Sequence, residues 1–375
     1  MNQKTTIVIG LILYLAAAVG SYSFFSGQTI ATNYRPPVEE SKGSDENGGP
    51  KTEACPLNGA LYSKAQREKW ESRRPLGIAV ENSVAARPQS GLNSADIVYE
   101  AVAEYGITRF LGIFYCENPE IVGPVRSARI YFIRLLQGYG KFPLYAHVGG
   151  ANAPGPTDAL GEIRDLGWAN YNDLNQFSVP FPNYWRDYDR LPGVDTEHTV
   201  YTDTNKLWSY AEKTRKLTNV DEEGTAWDES FTPWKFKKEA GKPGNVTAIS
   251  YGFWDQSVSS MGVAWKYDAE KKAYLRTNGG APHLDKNTEE QIYASNIVVM
   301  FAKETAVDNG LGHMLYDLTS GGDALIFMDG RVVEAHWEKP DYESPITFTA
   351  DGKEVEFSPG RVWVSILPIG NKVDY

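Results

Sequence analysis

The sequence predicts an α+β protein: a mixed α/β N-terminal domain and a β-rich C-terminal domain, preceded by a single N-terminal transmembrane helix. Three observations lead there. Residues 7–25 carry no charge, apolar strand-like runs alternate with helical spacing over residues 75–215, and short alternating segments separated by turn residues dominate after residue 246. The chain has 375 residues, 42% hydrophobic and 23% charged, which are the proportions of a folded protein. Its 37 Lys+Arg against 48 Asp+Glu give a formal charge of −11. That balance argues against a general nucleic-acid binder and against a surface held on anionic lipid by charge.

The run Ile7 to Phe25 is long enough, at about 1.5 Å per helical residue, to cross a bilayer core of about 30 Å. Lys4 precedes it and no basic residue follows until Arg35, so the bulk of the chain is expected outside the membrane. A cleaved signal peptide is the competing reading, with small residues at Ala16–Gly20 and Gly27–Ala31 as candidate cleavage sites. Residues 26–54 then form an acidic linker broken by Pro36, Pro37, Gly48, Gly49 and Pro50, which reads as a flexible tether.

The N-terminal domain is expected over residues 55–216. Leu61 to Glu71 reads as a charged helix stopped ahead of Pro75. Leu76 to Val80 and Arg109 to Cys116 read as strands, and Ile97 to Glu104 as strand or short helix. GPVRSAR leads into a helix over Ile130 to Gln137, with Ser127 suited to cap it, and Leu144 to Val148 is a buried strand. Residues 152–195 read as loops, and helix returns at Thr204 to Lys216. Residues 217–245 read as an inter-domain linker and residues 246–375 as antiparallel β, with hairpins at Asp329-Gly330 and Asp351-Gly352. Trp254, Trp265, Trp337 and Trp363 are assigned to the core.

The densest chemical feature is Gly123 to Arg129. Arg109, Arg126 and Arg129, with Arg87 as a fourth member, can line an anion site beside Ser127, either for a phosphate or for a carboxylate. Alternatively each arginine pairs with one of Glu81, Glu100 or Glu104 as an internal network. His147, followed by Gly149 and Gly150 where backbone can approach a ligand, is either a general acid or base or a hydrogen-bonded structural residue. His198, beside Asp195 and Glu197, and His283, beside Asp285, read as structural. Cys55 and Cys116 can form a disulfide outside the cell or remain two thiols. No CxxC or HxxxH spacing supports a metal site, and no nucleotide loop, nucleophile elbow or zinc-protease motif is present, so no metal, cofactor or catalytic residue is assigned.

The runs RPLGIAVEN, ARPQSGLNSADIVYEA, GITRF, GPVRSARIYF and AHVGG, in this order, resemble the YerB-like family, bacterial envelope proteins with a domain of unknown function numbered 3048. RTNGGAPHLD, SNIVVM, ALIFMDGRVVEAHWEK and FSPGRVWVSILP resemble the family's C-terminal domain, so the resemblance spans about residues 55–370. It implies membrane attachment, often as a lipoprotein, and a fold of the kind described above, but no reaction or cofactor. The lipid-accepting cysteine is missing after the apolar run, so a helix anchor is expected in its place.

The expected function is therefore that of a single-pass membrane protein with an extracytoplasmic body that binds a cell-wall polymer or envelope protein through the arginine cluster. A cell-envelope hydrolase using His147 and a carboxylate, and a structural scaffold with no ligand, are the alternatives. Oligomeric state is left open.

Overall fold

The computed structural model describes residues 49–308 and 310–375. The expected membrane helix and most of the expected tether lie outside the described residues. Among the described residues no helix is long and apolar enough to cross a membrane. The body is mixed α+β and β-rich, with few helices.

Helix α1 (Lys64–Trp70) starts at Ser63, whose hydroxyl and the Gln66 side chain satisfy each other's backbone N–H groups, and it buries Trp70. Strand β1 (Leu76–Glu81) is buried at all six positions, as a strand covered on both faces must be. Strands β2 (Ile97–Glu104) and β3 (Ile107–Phe114) form a hairpin over Tyr105 and Gly106, whose φ values of 50° and 80° supply the left-handed backbone of a two-residue loop. Helix α2 (Ile130–Leu136) buries every residue except Arg134, so it is a core helix. Strand β4 (Leu144–His147) follows. The segment expected as loop contains helix α3 (Ala159–Asp165), capped by Asp158, and strand β5 (Asp173–Asn175). Helix α4 (Thr204–Arg215) is capped by Asp203.

The second half adds β6 (Ala248–Tyr251), β7 (Val263–Asp268), β8 (Ala273–Asn278), β9 (Asn296–Ala302), β10 (Gly321–Met328), β11 (Arg331–Glu338), β12 (Thr347–Ala350), β13 (Lys353–Glu354), β14 (Val362–Pro368) and β15 (Val373–Asp374). The turns at Asp329-Gly330 and Asp351-Gly352 join β10 to β11 and β12 to β13, each with positive φ at both residues.

One 11-stranded sheet runs β13-β12-β11-β10-β9-β14-β2-β3-β1-β4-β5. Strand β14 lies parallel to both neighbours, with Asn296 opposite Val362 on one side and Val362 opposite Ile97 on the other. Segments on either side of residues 217–245 are thus hydrogen-bonded into the same sheet. A smaller sheet holds β8-β7-β6-β15 in antiparallel order. The buried apolar cluster continues across both halves. Trp363 on β14 meets Phe110 on β3 at 5.2 Å and Trp265 on β7 at 5.4 Å, ring centre to ring centre. Residues 217–245 also contribute to packing: Trp227 is 3% exposed and meets Tyr115 edge-on. Trp265, Trp337 and Trp363 are buried, while Trp254 is half-buried.

Ser127 does not cap α2. The helix begins at Ile130 with Arg129 in the extended cap conformation, and no side chain accepts from its first turn. Ser127 lies too far ahead of the first helical residue to reach those amides.

Candidate functional site

GPVRSAR crosses the end of the sheet, held by its backbone. Arg126 N–H donates to Ala79 O at 2.8 Å, Val148 N–H to Arg126 O at 3.1 Å, and Ala128 N–H to Gly149 O at 2.9 Å. Ala128 also pairs with Gly150. Two runs far apart in sequence, GPVRSAR and HVGG, therefore share one ladder. Gly149 has φ of 56°, in the left-handed region that favours glycine, and a Cβ there would lie 3.2 Å from the ring of the exposed Phe177.

Arg109 and Arg129 converge on one carboxylate. Arg109 Nη2 lies 2.8 Å from Glu104 Oε1, and Arg129 Nη2 bonds Glu104 Oε2. Both guanidinium groups are buried, and Arg109 Nη1 also donates to Ser127 O at 3.1 Å. Burial pushes Glu104 up, but the charges of Arg109 and Arg129 overcome it and hold the carboxyl at about 2. Arg126 turns the other way, 2.9 Å from Glu197 and 3.5 Å from Glu81, with its side chain 24% exposed. Glu81 also meets His198 Nδ1 at 2.9 Å. Arg87 leaves the cluster altogether. It donates to Asn82 Oδ1 at 3.0 Å, Asn82 O at 2.9 Å and Ser260 O at 2.8 Å, tying the first half to the second. The structure thus gathers Arg109, Arg129 and Glu104 into one group, joins Arg126 to Glu81, and places Arg87 elsewhere.

Glu100 serves an arginine that sequence reasoning missed. Arg276 Nη2 donates to both Glu100 oxygens, at 3.0 and 2.9 Å, and Thr108 Oγ1 and Trp363 Nε1 add bonds of 2.9 and 3.1 Å. The guanidinium lies 4.6 Å from the Trp363 ring centre and 5.2 Å from that of Trp265. Arg276 Nε donates to His283 Nδ1 at 3.0 Å, and His283 Nε2 lies 2.6 Å from Gln89 Oε1. Burial, then the charges of Arg276 and Arg87, hold the His283 imidazole well below its ordinary pKa, which agrees with Nδ1 acting as acceptor. The signal was present in AYLRTN: the period-two pattern puts Arg276 on the same inward face as Tyr274 and Asn278.

His147 has no exposure. Its Nε2 lies 2.6 Å from Asp173 Oδ1 and its Nδ1 2.6 Å from Gly149 O, so its carboxylate partner comes from β5 and not from Glu81, Glu100 or Glu104. Cys55 and Cys116 form a disulfide. Asp96 sits beside it, accepting from Asn58 Nδ2 at 2.7 Å, Tyr115 N–H at 2.7 Å and Cys116 N–H at 3.0 Å, and burial pushes its carboxyl up to about 7. Cys55, Asp96 and Cys116 have the proximity of metal ligands, but the two sulfurs are bonded to each other and offer no thiolates.

The chain matches both halves of a two-part family. The DUF3048 N-terminal domain, described as a protein of unknown function, matches residues 63–218, and the DUF3048 C-terminal domain matches residues 252–364. The chain belongs to this family. The "Putative lipoprotein YerB" of Bacillus subtilis (strain 168) is 33% identical over 316 residues, covering 83% of this chain and 86% of the relative. The crystal structure of the YerB protein from Bacillus subtilis superposes with a TM-score of 0.69 at 30% identity, over 86% of this chain and 100% of that one.

Proposed function

We propose that the chain is a non-catalytic, extracytoplasmic protein of the bacterial envelope that works by binding. The uncharged run at residues 7–25 and the lipoprotein designation of the Bacillus relative support attachment at a membrane. One observation carries the non-catalytic reading. His147, the imidazole singled out for acid–base work, has no exposure and has both ring nitrogens engaged by Asp173 and Gly149. A general acid or base has to reach the proton it transfers. The carboxylates Glu81, Glu100 and Glu104 are likewise engaged with Arg126, Arg276 and the Arg109–Arg129 pair.

Binding falls to Arg126, whose side chain keeps access to solvent next to the half-buried Ser127 and Gly149. Its outer partner Glu197 is 55% exposed, and an exposed pair of this kind is worth only about 1 kcal/mol or less, so an anionic partner displaces it at little cost. The test compares the full chain with Arg126→Ala and Glu197→Gln for binding to peptidoglycan fragments and anionic envelope polymers. Arg126→Ala is expected to lose binding and Glu197→Gln to retain or strengthen it. A folded Arg126→Ala protein that binds as the parent does removes this surface. The fully buried Arg276–Glu100 pair favours a second reading, a rigid scaffold without a ligand.

A further inference from the structure

A different group of cations lies where the chain leaves α1, and it stands independently of the Arg126 surface. Arg73 and Arg74 are 8% and 1% exposed, yet among the described residues neither forms an ion pair with a carboxylate. Their partners are backbone carbonyls. Arg73 Nε donates to Tyr115 O at 2.9 Å, and its guanidinium stacks 3.6 Å from the Trp208 ring centre. Arg74 donates to Thr218 O at 2.6 Å and to Lys141 O and Phe142 O at 3.1 Å each, while its buried Nη2 has no hydrogen-bond partner. Arg109, Arg129 and Arg276, buried to a similar degree, each have a carboxylate.

Burial of a charge without a directly paired carboxylate is unfavourable, and here two adjacent ones have only the more distant fields of Asp96 and Asp221 to offset it, in a chain of net charge −11. Burial pulls both guanidinium groups down to about 10, which still leaves them charged near neutrality. They line a recess of about 230 Å³ together with Lys69, Ser72, Ser209 and Glu212. Glu212 is the one carboxylate in that lining, and it is exposed.

We infer that this recess is an oxyanion site that takes a phosphate group, as free phosphate or as a phosphoester. Two guanidinium groups held rigid by their carbonyl partners, the Lys69 ammonium and the Ser209 hydroxyl give the recess a cationic wall with a hydroxyl donor, and that lining suits an oxyanion. The volume lies below the range of about 300–1,000 Å³ usual for whole organic ligands, so the recess admits the charged group and leaves the rest of the molecule outside.

The test titrates the full chain in detergent with inorganic phosphate and with glycerol 3-phosphate, read by phosphorus NMR and by the thermal midpoint. Phosphatidylglycerol vesicles against phosphatidylcholine vesicles form a third arm, read by co-sedimentation. Lys69 and Glu212 are exposed, so their variants leave the packing intact. Saturable binding is expected, about threefold tighter in Glu212→Gln and about threefold weaker in Lys69→Glu. A response to the soluble phosphates identifies a free phosphate or phosphoester as ligand, and a response confined to phosphatidylglycerol identifies a headgroup. No saturable response in any arm, or affinities that neither variant changes, overturns the inference. So does loss of phosphate binding in Arg126→Ala, which places the anion on the other surface.

Discussion

Arg276 and Glu100 stand 176 residues apart in the chain, yet Arg276 Nη2 lies within 3.0 Å of both Glu100 oxygens at a point with no solvent exposure. The pair joins β8 of the smaller sheet to β2 of the larger one, and Trp363 of the inserted strand closes over it. Removing one partner leaves the other charge buried without compensation. Arg276→Met is therefore expected to lower unfolding stability by about 3–5 kcal/mol, and Glu100→Gln in the same background to recover part of it. Denaturant unfolding of the single and double variants measures both. Equal stability of Arg276→Met and parent would show that the pair contributes nothing.

Glu104 gives the protein an acid-sensitive contact. Its folded pKa of about 2 lies below the ordinary 4.5, so its contribution is fully present above 4.5 and disappears as pH falls from there towards 2. The amount at stake is on the order of 3 kcal/mol. Glu104→Gln is expected to be less stable than the parent at neutral pH, with the difference shrinking in acid. A difference independent of pH contradicts this account.

Asp96 works with the opposite sign. Its carboxyl is raised from 3.8 to about 7 by burial, so the folded state holds a proton that the unfolded state has already released. The stability that this proton confers is complete below 3.8 and is lost as pH rises through about 7. Asp96→Asn keeps an acceptor for the Tyr115 and Cys116 amides and does not titrate. Unfolding free energies measured between pH 4 and pH 8 should fall more steeply with pH in the parent than in the variant. Identical slopes would mean that Asp96 stays ionised in the fold.

The bridge between Cys55 and Cys116 closes a loop with a sequence separation of 61. In the chain-entropy treatment a loop of that size is worth about 4 kcal/mol. Replacing both cysteines by serine is expected to lower stability by that order and to loosen residues 53–62 first, which hydrogen exchange at their amides reports. Unchanged protection there would assign the hold on this segment to other contacts.

Much of the fold was legible locally, because its signals are local. Period-two and near-continuous apolar runs marked β1 and β3, the helical spacing of IYFIRLL marked α2, and Asp-Gly marked both hairpin turns. Helix α3 escaped because it is a short ALGEIRD segment embedded among loop residues, with only Asp158 to announce it. The site was legible in composition and not in pairing. Which carboxylate an arginine meets depends on strand order, and the insertion of β14 beside β2 leaves no local trace. Hence Glu100 was read as a partner of the GPVRSAR arginines and meets Arg276 instead, while Arg87, grouped with them, reaches Ser260. Arg73 and Arg74, just past the expected helix end at Glu71, carry no sequence signal of burial, and only the tertiary structure shows them buried.

Strand β14 comes after both of its neighbours, β2 and β9, in the order of synthesis. A nascent chain therefore carries the naked flank of Ile97–Glu100 through most of its production, with its ladder partners more than two hundred and fifty residues behind. Such a flank invites pairing with whatever strand is near. Maturation of this protein is thus expected to wait for the arrival of residues 362–368, and a chain cut short before them to clump, however well its earlier helices and hairpins form.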